Sequence, residues 1–180
     1  MIYRGKEAEK NALLRVAELM CLAARTAPKG RGKDNIETLI LTEEEEIRKL
    51  TAEMRRMAEE YGRPCAFFAR DAENIETAGG PVVLIGARKE PMGLTACGYC
   101  GFASCAEMEA HGATCAFTAG DLGIAIGSAV AVAAAHHADN RIMFSAGRAA
   151  LNLGFFSPEV KLAYAIPLCA AGKNVFFDRK

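Results

Sequence analysis

Residues 121–137 read Asp121-Leu-Gly-Ile-Ala-Ile-Gly-Ser-Ala-Val-Ala-Val-Ala-Ala-Ala-His136-His137. The 14 residues from Leu122 to Ala135 carry no charge. From Thr118 onward this stretch is predicted to form one long helix, apolar nearly all round, and such a helix is buried on every side. A membrane-spanning helix needs about 20 apolar residues. A run bounded by Asp121 and the His136-His137 pair is therefore expected to be the core helix of a globular domain. Gly123, Gly127 and Ala131 lie four apart on it, which leaves room for another element to approach its backbone.

Regular elements are expected on both sides of this helix. Downstream, Ser145 to Leu153 reads as a shorter helix ended by Gly154, Val160 to Pro167 as a strand, and 172–180 as a polar and aromatic tail. His136 and His137 suit the negative end of the long helix, and Asp139 to Arg141 reads as the turn after it. Upstream, Leu13, Ala17, Met20 and Ala24 follow helical spacing, giving a helix over 6–27 that Pro28 stops. A basic, glycine-rich loop, Pro28-Lys-Gly-Arg-Gly-Lys-Asp-Asn35, leads to a strand over Ile36 to Leu41. Thr42 and Glu45 have the spacing of a capping box. The helix they open presents Ile47, Leu50, Met54 and Met57 and ends at Gly62 and Pro64. Cys65 to Phe68 is read as a strand, and Pro81 to Ile85 as another, ended by Gly86. Alternating helices and strands with no linker between them predict one α+β domain over 1–180, a sandwich with a central buried helix.

Composition excludes several classes. The 180 residues hold 22 Lys plus Arg and 22 Asp plus Glu, so there is no basic excess for nucleic acid or an anionic membrane surface. With 51% hydrophobic residues, 7% aromatic and no Trp, the chain is globular and lacks a base-stacking surface. The polar start, Met1-Ile-Tyr-Arg-Gly-Lys-Glu, shows no apolar targeting segment, so a cytoplasmic protein is expected.

The chemistry lies in the cysteines. Four of the seven fall between Cys97 and Cys115, with spacing C-x2-C-x4-C-x9-C. An iron–sulfur core needs thiolates from several directions, and short spacings wrap the chain around it while a more distant cysteine closes the cage. Gly98, Gly101 and Gly112 permit the tight turns this requires. Cys97, Cys100, Cys105 and Cys115 are the candidate ligands of a [4Fe-4S] cluster, carried by an insertion over 93–117. Arg88, Lys89 and the helix start near Thr118 are placed to offset the charge of about −2 on such a cluster. A structural zinc is the alternative, with His111 as a substitute ligand. Cys21 and Cys169 sit among apolar residues and read as core, and Cys65, just after Arg63-Pro64, reads as a strand residue. Lys33-Asp34 and Arg70-Asp71 read as surface ion pairs.

The stretch C-G-x-C-G-x-x-x-C over Cys97 to Cys105 resembles the four-cysteine motif of anaerobic electron-transfer and corrinoid iron–sulfur proteins, in which the last gap is usually longer than nine. Across its whole length the chain resembles the ferredoxin domain-containing family of anaerobic bacteria and archaea. Ala23-Ala-Arg-Thr-Ala-Pro-Lys-Gly30, Arg70-Asp-Ala-Glu-Asn and Gly172-Lys-Asn carry that likeness. The order of helix, Ala27-Pro28-Lys-Gly loop, strand Ile36 to Leu41 and acidic helix start also resembles FMN-dependent nitroreductases. That second resemblance implies a nitroreductase-like fold, a homodimer, and FMN at the subunit interface. The nitroreductase phosphate grip, Arg-x-Ser-x-Arg, is absent from this sequence, as is Asn-x-Gln-Pro-Trp. The basic residues left to meet an FMN phosphate are Lys29, Arg31, Lys173 and Arg179, whose plain alternative is a solvated surface. Together these readings imply a redox protein that shuttles single electrons through a [4Fe-4S] cluster, with FMN as the second implied cofactor. The competing readings are a zinc-stapled interaction protein and a flavin enzyme whose cysteine loop only closes the pocket.

Overall fold

The computed structural model describes residues 2 and 4–177. Its elements run α1 (Gly5–Thr26), β1 (Ile36–Leu41), α2 (Glu44–Tyr61), α3 (Phe67–Ala78), β2 (Val82–Arg88), α4 (Cys105–Ala110), α5 (Ala116–Ala135), β3 (Asp139–Asn140), α6 (Phe144–Asn152) and β4 (Val160–Cys169). The strands form one antiparallel sheet in the order β1-β2-β4-β3.

Strand alternation divides the core into two layers. In β2, Val82 and Leu84 face a cluster built by α2, α3 and α6, with Leu50, Met54, Phe68 and Ala149. Val83, Ile85 and Ala87 face the opposite cluster, built by α1 and α5 with Met20, Ala24, Leu122 and Ala129. Since successive side chains of a strand point to opposite faces, a strand buried on both sides must be apolar, and β2 is so from Val82 to Ala87. Leu84 and Ile85 are both fully buried, and each stabilises the fold by about 1.5–3 kcal/mol. On the first layer α6 approaches the sheet so closely that a Cβ on Gly147 would stand 2.2 Å from the Ala163 carbonyl oxygen.

Four local expectations are corrected. Cys65 to Phe68 is not a strand: a short 3-10 turn over Arg63–Cys65 leads into α3, whose buried Phe68, Ala72 and Ile75 have helical spacing. The helix α2 is not opened by a capping box. Its N-cap is Glu43 and makes no side-chain cap bond, while Thr42 donates to the Glu43 carboxylate. Asp139 and Asn140 pair with Cys169 and Leu168 rather than forming only a turn. Finally, α5 is not buried on every side. Leu122, Ala125, Ile126, Ala129 and Ala133 are buried, but Gly120, Gly123, Ile124, Gly127 and Ala131 are exposed. By length and composition alone α5 is apolar enough to cross a membrane. In this fold its buried face is packed against α1 and the sheet.

The two adjacent charge pairs also differ from expectation. Asp34 turns away from Lys33 to pair with Arg25, while Lys33 pairs with Glu90 at 2.8 Å. Arg70 does bond Asp71, at 2.9 Å, but Asp71 is buried and also accepts the Ser145 hydroxyl at 2.6 Å.

Candidate metal centre

Between β2 and α5 the chain leaves both core layers and builds a small core of its own. Met92, Met108 and Cys115 are its buried centre, with Leu94, Cys100, Phe102, Ala113 and Phe117 packed around them. Cys97, Cys100, Cys105 and Cys115 all line one cavity beside this core, together with Met92, Met108 and Phe117. The sequence spacing thus brings the four predicted cysteines together. Cys21, Cys65 and Cys169 lie elsewhere, and all seven are unpaired thiols.

Each ligand position has a local cause. Cys97 and Cys100 flank a turn in which Gly101 donates to the Gly98 carbonyl at 2.9 Å. Gly98 and Gly101 have φ of 65° and 85°, which other residues adopt only with strain. Cys105 is the first residue of α4. Ser104 caps that helix, accepting from the Glu107 N–H at 3.1 Å, while the Glu107 carboxylate accepts from the Ala103 N–H at 2.8 Å. The pair is a variant of the capping box, in which Glu107 reaches the N–H of the residue before the N-cap. The Ser104-x-x-Glu107 spacing signals a cap only where a helix is expected to follow.

Cys115 is the N-cap of α5 and is 7% exposed. Burial pushes its thiol up, but hydrogen bonds from the backbone at Met92, Thr118 and Phe117 outweigh burial and bring it below the ordinary thiol range. The Thr118 hydroxyl ties the same turn to the Glu90 carbonyl at 2.7 Å. The thiols outside the cavity behave oppositely. Burial raises Cys21, and burial with the Asp139 charge raises Cys169.

Cations from outside the loop hold its ends. Arg31 donates to the Met92 and Gly93 carbonyls at 3.1 and 3.3 Å, Lys33 to Pro91 at 3.4 Å, and Lys89 to Gly112. Arg88 instead faces Glu37, at 3.9 Å. His111 is turned away from the cavity, with Nδ1 2.9 Å from the Glu107 carbonyl and its ring against Phe102. Among the described residues no three His, Cys, Asp or Glu side chains are grouped so as to hold a single metal ion. Four thiols lining one cavity are a donor set known both for iron–sulfur cores and for structural zinc.

Two of the expected phosphate-binding cations are engaged elsewhere. The Lys29 side chain is 4% exposed, and its ammonium donates to the carbonyls of Ala24, Arg25 and Ala27 at 3.0, 2.7 and 2.8 Å. It closes the C-terminus of α1 and does not fit a phosphate grip. Arg31 serves the cysteine loop. Lys173 lies in the turn after β4, and Arg179 falls outside the described residues. Sequence reasoning missed a cleft of about 450 Å³ that shares Ala116 and Phe117 with the cysteine cavity. Its walls include Gly30, Asp121, Ile124 and Tyr99, whose ring stacks on Phe117 with centroids 5.5 Å apart.

This helix–sheet arrangement defines a class. A nitroreductase with bound FMN from Desulfitobacterium hafniense aligns with a TM-score of 0.60 at 14% identity, over 96% of this chain and 81% of its own. A BluB-like flavoprotein from Clostridium difficile aligns at 0.55 and 16% identity, covering 99% and 88%. Oxidized iodotyrosine deiodinase bound to FMN and 3-iodo-L-tyrosine aligns at 0.61 and 12% identity, covering 89% and 80%. At such identities the likeness is one of fold, and the fold is nitroreductase-like.

Sequence relationship is closer elsewhere. An uncharacterized protein of Archaeoglobus fulgidus is 38% identical over 187 residues, covering 99% of this chain and 98% of its own length. The model of the family described as "Uncharacterized protein containing a ferredoxin domain (DUF2148)" matches residues 111–179, a span that includes Cys115 but none of the other three candidate ligands. The chain belongs to that family.

Proposed function

We propose that this is an iron–sulfur redox protein that holds one [4Fe-4S] cluster through Cys97, Cys100, Cys105 and Cys115. The observation that carries the reading is the convergence of these four thiols on one cavity with a small apolar core of its own. When bound, such a cluster supplies one-electron transfer at a potential set by charge, hydrogen bonding and solvent exposure. The chain's own residues prepare the site. The backbone at Met92, Phe117 and Thr118 stabilises the Cys115 thiolate, Ser104 and Glu107 fix the helix that presents Cys105, and Met92 and Met108 keep the inner wall dry. The ferredoxin-domain description of the family supports a redox role.

Single replacements test it. After anaerobic reconstitution with iron and sulfide, Cys→Ser at 97, 100, 105 or 115 should abolish or sharply reduce the broad visible absorption of the cluster. The same change at Cys21, Cys65 or Cys169 should leave it intact. Equal spectra across all seven variants would refute the ligand assignment.

A second reading adds FMN, and the apolar cleft beside Tyr99 and Phe117 favours it, as do solved relatives of the fold that hold FMN. Lys29 and Arg31 are engaged elsewhere, so other groups would have to meet its phosphate. Purified protein with structured flavin absorption would support this reading.

We further propose a homodimer formed on the exposed face of α5. Open space surrounds Gly123 and Gly127, so a second copy can approach this apolar stripe closely. We take residues 1–180 as one domain with 93–117 as its cluster-binding insertion. We place it in the cytoplasm, where seven unpaired thiols stay reduced.

A further inference from the structure

Arg31 occupies a conformation that glycine would hold without strain. Its φ is 54° and ψ 16°, left-handed values that strain any residue with a Cβ. Two glycines, Gly30 and Gly32, adjoin it, so the loop does not lack small residues. The side chain accounts for arginine here. Its guanidinium bonds the carbonyls of both Met92 and Gly93, 61 and 62 positions away.

Those two carbonyls lie at the entrance of the cysteine loop. Met92 is 3% exposed, lines the cavity with the four cysteines, and contributes its backbone to the hydrogen bonds on Cys115. Gly93 is itself left-handed, at φ 69°, and the Arg31 guanidinium lies 3.6 Å from where a Cβ on Gly93 would stand. One guanidinium nitrogen, Nη1, therefore donates to two consecutive carbonyls of the loop's entrance. Among the described residues, Lys33 and Arg88 have carboxylate partners, whereas no carboxylate lies within 4.0 Å of Arg31.

We propose that Arg31 is a positioning residue of the cluster site, clasping the Met92–Gly93 backbone so that the loop's first and last ligands share one cavity, and that its charge eases reduction of the bound cluster. The proposal rests on the four-cysteine reading above. Strain at position 31 persists because the side chain holds the loop.

Arg31→Gly, Arg31→Lys and Arg31→Gln test it. Without a cluster, Arg31→Gly should melt no lower than wild type, because glycine removes the strain. Chymotrypsin should nevertheless cut it several-fold faster at Tyr99, which is 77% exposed within the loop. After reconstitution with iron and sulfide, Arg31→Gly and Arg31→Gln should lose cluster absorption several-fold faster to a chelator and titrate at a more negative potential. Arg31→Lys, which keeps the charge and a donor on a shorter side chain, should restore the potential and only part of the lifetime. Wild-type cleavage rate, lifetime and potential in Arg31→Gly would overturn the proposal. A wild type that assembles no cluster would instead remove the parent reading and with it the charge effect, and the cleavage rates would still decide whether Arg31 clasps the loop.

Discussion

The backbone N–H of Gly30 donates to both carboxylate oxygens of Asp121, at 3.1 and 3.0 Å, across 91 positions of sequence. Asp121 is 8% exposed and sits six residues past Cys115 on the same helix. The glycine-rich loop after α1 is thereby fixed to the helix that presents the last cysteine, and from that loop Arg31 and Lys33 reach the start of the cysteine segment. A Cβ at Gly30 would meet the ε-methyl of Met92 at 2.8 Å, so this junction is closely packed as well as hydrogen-bonded.

Replacing Asp121 should expose how much depends on that junction. Asp121→Ala leaves a half-buried N–H without its partner, which costs about 1 kcal/mol. Asp121→Asn keeps an acceptor and should cost less. Urea unfolding curves of the two variants should rank in that order, and equal midpoints would contradict the role assigned to the bond.

Lys29 gives the sharpest contrast with the nitroreductase resemblance. If its ammonium closes α1 through three carbonyls, Lys29→Met should lower stability by about 2 kcal/mol, or roughly 4–8 °C in Tm, whether or not flavin is present. A phosphate-gripping lysine would instead show lost flavin affinity at unchanged Tm.

Acid should weaken the joint between β1 and the segment before β4. Burial alone would raise the Glu37 carboxyl, but the Ser157 hydroxyl and N–H, bonded at 2.6 and 2.9 Å, together with Arg88 bring it below the ordinary value of 4.5. A carboxylate whose folded pKa is depressed adds stability that is fully present above the unfolded pKa and lost as pH falls through the folded one. Wild type should therefore exceed Glu37→Gln in unfolding free energy above about pH 5, and the difference should shrink as pH falls below 4.5. A difference that stays constant down to pH 3 would show that Glu37 acts through packing alone.

The exposed stripe of α5 makes a separate expectation. Gly127 has nothing within 4 Å of a built Cβ, so Gly127→Glu leaves the packing within one chain untouched. Sedimentation should show wild type at twice the chain mass and the variant shifted toward monomer. A monomeric wild type would dispose of the dimer.

What the sequence showed, it showed through periodicity and spacing. The face of α1 with Leu13, Ala17, Met20 and Ala24, the both-sided apolar β2, and the four clustered cysteines were all legible because each is a local pattern. Misreadings arose where a short window outweighed a longer one. Cys65 to Phe68 has strand composition over four residues, yet Phe68, Ala72 and Ile75 place it at the head of a helix. The uniform apolarity of α5 predicted burial all round because sequence cannot distinguish a face covered by its own chain from one left open. Lys29 and Arg31 look alike as loop cations. Only the fold shows that one closes a helix and the other clasps a loop 61 positions away.

Protein purified without oxygen and assayed for metal, sulfide and absorption should carry about four iron and four sulfide per chain, with visible absorption bleached by dithionite. Stoichiometric zinc in a colourless protein prepared the same way would contradict the cluster assignment.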